Sequence, residues 1–235
     1  MLANLVASHP NITASNEVPR PVLMSILNLM DAADAAYGKS RGRADPWETI
    51  RQDFFLNVVA NTYGPGARRS VAMRKRFSNK TPSLELLYKK IASYCSTEKP
   101  QFIYCVRHPK KVLRSLKNMP WGSGSIEDNL KVFERSTVCL KQMQNDDAVS
   151  VHVVQIDKVG ETKSDRLAFS KSLFDYLGEE ITDEVIAHTE EWAPAQPATE
   201  VLKVEKLVEF DESELAVLER SDIYKKLCAQ FGYEE

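Results

Sequence analysis

Apolar residues recur at helical spacing along most of this chain, and two short apolar runs break that rhythm. Met1 to Ser8 predicts a short helix stopped by His9-Pro10, because the residue before a proline is driven out of the helical region. Pro21 to Tyr37 predicts an amphipathic helix with proline in its first turn. Pro46 to Tyr63 predicts another, with Trp47, Ile50, Phe54, Val58 and Asn61 tracing a mainly apolar stripe. Leu84 to Tyr94 follows, with Leu84, Leu87, Tyr88 and Ile91 on one face. Gln101 to Val106 (QFIYCV) and Val149 to Ile156 are the two apolar runs, too short for helices and rich in β-branched and aromatic residues. Both suit strands covered on two faces. Helices are expected at Lys110–Asn118, Ile126–Asn145, Leu167–Leu177, Thr182–Trp192 and Ser213–Phe231, with Gly178 and Gly232 as stops. Strands alternating with helices, without a hairpin turn signal, predict an α/β layer structure around a parallel sheet.

Charge changes this picture locally rather than globally. The net charge of −2 gives no general attraction to nucleic acid or anionic membrane. Residues 68–80 and 107–117 are nevertheless basic, while 205–219 is mostly acidic. Such runs are commonly solvated faces, yet two basic segments flanking one strand also suit an anionic ligand. No stretch approaches the ~20 apolar residues that span a bilayer. The four cysteines form no CxxC pair and share no ligand spacing with the four histidines, so no metal is expected. Unpaired thiols and no signal peptide in Met1 to Ala7 point to a reducing, cytoplasmic setting. No Pro/Gly/Ser-rich linker divides the 235 residues, so a single domain over 1–235 is expected.

Open parallel sheets bind ligands beyond the carboxyl ends of their strands, which directs attention to FIYCVRHPKKVLRS, Phe102 to Ser115. Arg107 closes the strand, His108-Pro109 turns the chain, and Ser115 lies in the following helix, eight residues on. A guanidinium fork, a hydroxyl and a helix start are together a phosphate-binding set. The bland alternative is an arginine at a strand end and an unrelated helix serine.

Strand-Arg-x-Pro with serine at plus eight resembles the 3′-phosphate motif of PAPS-dependent sulfotransferases, in motif layout closest to the tyrosylprotein and carbohydrate types. Other segments carry the resemblance along the chain. Leu5 to Glu17 (LVASHPNITASNE) is similar to the family's helix, His-Pro and downstream glutamate; Ser78 to Pro82 (SNKTP) is similar to its Asn-Lys-Asp/Thr-Pro segment. Leu173 to Gly178 and Leu227 to Tyr233 look like its Phe-Leu-Gly and terminal Gly-Tyr elements. The resemblance implies a P-loop NTPase-like sulfotransferase fold, a central parallel sheet flanked by helices. It also implies a first strand and a Pro-Arg-Ser-Gly-Thr-Thr loop directly ahead of the helix that begins at Met1. That strand and loop, the family's 5′-phosphosulfate cradle, are missing from this sequence, so a central strand and half the donor site are expected to be lacking.

By that resemblance, Glu17 is the general base that takes a proton from a hydroxyl acceptor, and Lys80 stabilises charge on the oxygen leaving with adenosine 3′,5′-bisphosphate. Arg107 and Ser115 hold the 3′-phosphate, and Arg20 is a possible support for Glu17 or the sulfonate. Surface roles are the alternative for Glu17 and Lys80. None of the four histidines sits where small-molecule sulfotransferases place a histidine base, so structural roles are expected for them. One departure lies after the second strand, where Ile156 stands in place of the usual tyrosine before an acid, here Asp157. Two functions remain: sulfuryl transfer from PAPS to a peptide, sugar or metabolite hydroxyl, or a non-catalytic relative that keeps a 3′-phosphonucleotide pocket. A third reading, a nucleotide kinase, ranks last, because it needs a GxxxxGK[ST] segment that this sequence does not contain.

Overall fold

The computed structural model describes residues 2–13, 18–37, 46–63, 67, 69, 72–73, 76–95, 98–119, 125–160, 162–191 and 208–234. Helix α1 (Leu2–Ala7) leads through a buried His9 into the short strand β1 (Ile12–Thr13). Helices α2 (Arg20–Tyr37) and α3 (Pro46–Tyr63) follow, then β2 (Arg76–Phe77), a 3₁₀ turn (Leu84–Leu87) and α4 (Tyr88–Tyr94). Strand β3 (Gln101–Val106) runs into α5 (Pro109–Lys117), and α6 (Ile126–Gln144) returns the chain to β4 (Ser150–Gln155). Helices α7 (Lys163–Leu177), α8 (Asp183–Glu190), α9 (Glu212–Arg220) and α10 (Asp222–Phe231) complete the described chain. The class is α/β, as the alternation of patterns predicts, and no described helix is long and apolar enough to cross a membrane.

The expected strands pair in parallel, with Gln101 opposite Ser150 and Val106 opposite Gln155. A second parallel pair joins β1 to β2, Ile12 opposite Arg76. At two residues each, these strands carry no periodicity that sequence reading can detect. The two pairs share their covering layers. Ile12 of β1 and Ile103 of β3 pack into one cluster with Leu5 and Val6 of α1 and Leu173, Phe174 and Leu177 of α7. On the other face, Leu84 and Ile91 pack against both the cluster that takes Phe77 of β2 and the one that holds Phe102 of β3. Yet no ladder joins β2 to β3 among the described residues. Side chains tie them instead: Arg76 donates to the side-chain amide oxygen of Gln101 at 2.9 Å and pairs with Glu179 at 3.0 Å.

The β3–β4 register fixes which backbone groups face this split. In a parallel ladder alternate residues of one strand bond to a given neighbour. Ser150 N–H donates to Pro100 C=O at 3.0 Å, so Phe102, Tyr104 and Val106 serve β4 while the amides of Ile103 and Cys105 point to the other edge. Amide hydrogen exchange at Ile103 and Cys105 is therefore expected to be faster than at Phe102 and Tyr104, on the order of a hundredfold. Uniform protection along β3 would show a covered edge.

Two helices depart from the pattern read in the sequence. In α3 the buried residues are Trp47, Phe55, Val59 and Ala60, while Ile50 is 52% and Phe54 37% exposed. The inward face contains Arg51, which made it look polar. Arg51 lies over the Tyr94 ring at 4.8 Å and pairs with Asp34, whose other oxygen accepts from Trp47 Nε1 at 2.7 Å. A paired arginine with a long apolar stem thus occupies a place the pattern reserved for a hydrophobe. The expected closing helix Ser213–Phe231 is two helices, because Ser221 leaves the helical region and caps α10 by accepting from Tyr224 N–H at 3.2 Å.

Candidate anion-binding site

Val106, 1% exposed, anchors the last residue of β3 in the core, so Arg107 emerges at the strand tip. The His108 backbone is non-helical (φ −46°, ψ 124°), Pro109 takes the first helical position, and the His108 ring nitrogen Nδ1 accepts from Lys110 N–H at 3.2 Å to cap α5. Strand β4 ends level with β3 and continues into a 3₁₀ turn, Ile156–Lys158, which brings Asp157 beside the same turn. Asp157 Oδ2 accepts from the His108 backbone N–H at 2.6 Å. Its Oδ1 meets both Arg107 Nε at 3.4 Å and Lys111 Nζ at 3.1 Å.

This carboxylate is 13% exposed, whereas the Arg107 and Lys111 side chains are 54% and 51% exposed. Desolvation pulls the Asp157 pKa upward, but the His108 N–H and the Lys111 and Arg107 charges outweigh it and hold the carboxyl below its ordinary value. Arg107 engages Asp157 through Nε. The rest of the basic run is differently placed. Arg114 pairs with Glu209 at 3.0 Å and Lys117 with Glu214 at 2.5 Å, so the acidic 205–219 segment neutralises that half. At the strand tips two cations share one oxygen, and this half of the run retains excess positive charge.

The chain's end forms one wall. Gly232, at φ 62°, stops α10 in the left-handed conformation that favours glycine and turns Tyr233 back over the site. The Tyr233 ring lies 5.1 Å from the His108 ring and 5.3 Å from Lys158 Nζ. Its Oη is buried and has no hydrogen-bond partner among the described residues. Desolvation raises the Tyr233 pKa, the Asp157 charge raises it further and Arg107 opposes both.

Of the residues singled out from sequence, Arg107 stands at the strand tip and Ser115 is half-buried on the second turn of α5. Lys80 is exposed just beyond β2, and its charge reaches the Cys105 thiol, which desolvation raises and Lys80 lowers. Arg20 opens α2 and is exposed, with no ion pair among the described residues. Glu17 lies outside the described residues, as do Gly64–Gly66 and Gly122–Gly124. The histidines have structural contacts: His9 Nε2 lies 3.0 Å from Glu180 C=O, and the His152 ring stacks on Tyr176 at 4.9 Å. No cluster of three metal-ligating side chains gathers among the described residues.

Lys111, Asp157 and Lys158 were not singled out as site residues from sequence. The signal for Asp157 was its position two residues past β4, level with His108 two residues past β3. A recess of about 610 Å³ lies along β4, between His152, Phe169 and Phe231. Its lining includes Lys141 and Lys158, so its inner end borders the strand tips. No protein-family model matches the chain, and no curated protein or solved structure matches it.

Proposed function

We propose that the chain carries the nucleotide-binding part of a PAPS-dependent sulfotransferase site, with Arg107 and Ser115 taking the donor's 3′-phosphate. The supporting observation is the strand-tip arrangement: a half-exposed arginine beside a second cation, both sharing one carboxylate oxygen. A phosphate dianion beside these two cations would gain charge-assisted hydrogen bonds. In the finer fold reading, β1–β2 and β3–β4 are two sides of a P-loop-like sheet. The open edges of β2 and β3 are where a central strand fits.

Sulfuryl transfer forms a bond from an acceptor hydroxyl oxygen to sulfur and breaks the bond from sulfur to the bridging phosphate oxygen. Adenosine 3′,5′-bisphosphate leaves with the electron pair. In this reading Glu17 receives the hydroxyl proton and Lys80 offsets charge on the departing oxygen. Arg20 supports one or the other.

The second reading is a relative that binds the nucleotide without transferring sulfate. Calorimetry with adenosine 3′,5′-bisphosphate tests the shared site: saturable binding is expected, and adenosine 5′-monophosphate should bind much more weakly. Equal affinity for the two nucleotides would remove the 3′-phosphate assignment. Turnover with labelled PAPS then separates the readings. It is expected to be weak or absent, while robust transfer abolished by Glu17→Gln and Lys80→Ala selects the enzyme.

A further inference from the structure

Asp157 is chemically out of place in a pocket for a dianion. Its Oδ1 contacts Arg107 and Lys111 together, so its negative charge sits against the cations that the phosphate of the proposed ligand must engage. The groups facing it come from every neighbouring element: Arg107 at the tip of β3, the His108 N–H and Lys111 from the start of α5, and Tyr233 from beyond α10. We propose that Lys111 is a further phosphate-binding residue and that Asp157 is the site's built-in counter-ion, which occupies both cations until the ligand competes for them. The inference rests on the reading of Arg107 as the 3′-phosphate residue.

The geometry distinguishes this role from simple scaffolding. Asp157 uses its two oxygens differently: Oδ2 holds the turn through the His108 N–H, and Oδ1 holds the cations. An asparagine keeps one carbonyl oxygen for the His108 N–H and loses the negative charge. If scaffolding were the whole role, Asp157→Asn would leave binding unchanged or weaken it. If the carboxylate competes with the ligand, its neutralisation releases Arg107 and Lys111 and removes a like charge from beside the phosphate. Each contact is with a half-exposed cation, so the gain is modest: tightening of about threefold to tenfold.

Binding of adenosine 3′,5′-bisphosphate to the full chain, measured by calorimetry for the wild type, Asp157→Asn, Lys111→Ala and Arg107→Ala, is the test. Tightening by Asp157→Asn together with weakening by Lys111→Ala, about threefold to tenfold each, supports the proposal. An unfolded variant cannot bind more tightly, so misfolding cannot produce the gain. Unchanged or weaker binding by Asp157→Asn overturns the counter-ion role, and unchanged binding by Lys111→Ala overturns the lysine's. If Arg107→Ala still loses affinity in either case, the 3′-phosphate reading stands without this addition. No binding by either the wild type or Asp157→Asn rejects the underlying reading as well.

Discussion

Arg107→Ala is expected to lower affinity for adenosine 3′,5′-bisphosphate by on the order of a hundredfold. A hydrogen bond to a charged group contributes about 1.5–3 kcal/mol, and a fork that meets a phosphate makes two in parallel. The side chain is half exposed, which argues for the lower end, about 3 kcal/mol in total. Arg107→Lys should recover only part of this, because an ammonium supplies the charge without the planar fork. Neither variant should unfold the protein. Asp157 keeps its bonds to the His108 N–H and Lys111 when Arg107 is gone, so no buried carboxylate is stranded. Calorimetric titration paired with a thermal melt checks both statements. A melt that falls as steeply as the affinity would recast Arg107 as a structural residue.

Phe174→Ala should destabilise the fold more than any change at the strand tips. Phe174 is fully buried and belongs to the cluster where α1, β1, β3, α7 and α8 meet. Its ring also stacks on buried His9 at 5.3 Å. Large-to-small changes at such sites cost about 3–5 kcal/mol, from lost burial plus the cavity left behind. For a chain of this size that is a fall in melting temperature of roughly 6–20 °C. The cavity would open beneath the face that aligns β1 with β3, so nucleotide binding should weaken too. A loss below about 1 kcal/mol in chemical denaturation would mean that the two strand pairs do not share this layer.

Much of the fold was legible because the long elements repeat their signals. The strands Gln101–Val106 and Ser150–Gln155 stand out as apolar runs, and Gly178 and Gly232 mark the ends of α7 and α10. What escaped reading was decided by tertiary partners. Arg51 enters the buried side of α3 only because Asp34 and Tyr94 receive it. Ser221 splits the last helix through one side-chain hydrogen bond. The two-residue strands β1 and β2 exist as strands only through each other.

The candidate site divides in the same way. Arg107 was visible because a charged residue directly after an apolar run, with proline two places on, marks the point where a buried strand surfaces and turns into a helix. Asp157 and Lys111 were not, because their meeting depends on β4 running parallel to β3 and in register. Pairing register is a long-range property that no local spacing encodes. Tyr233 reaches the cleft only through the left-handed turn at Gly232, which sequence reading recognised as a helix stop and not as a lever on the site.

Backbone amide shift mapping with adenosine 3′,5′-bisphosphate tests the central claim most directly. The account predicts saturable shifts centred on Arg107, His108, Lys111 and Ser115 and extending to Asp157 and Tyr233, with little change along the recess beside β4. Shifts that gather at His152 and Phe169 instead, or saturation that is unaltered in Arg107→Ala, would contradict it.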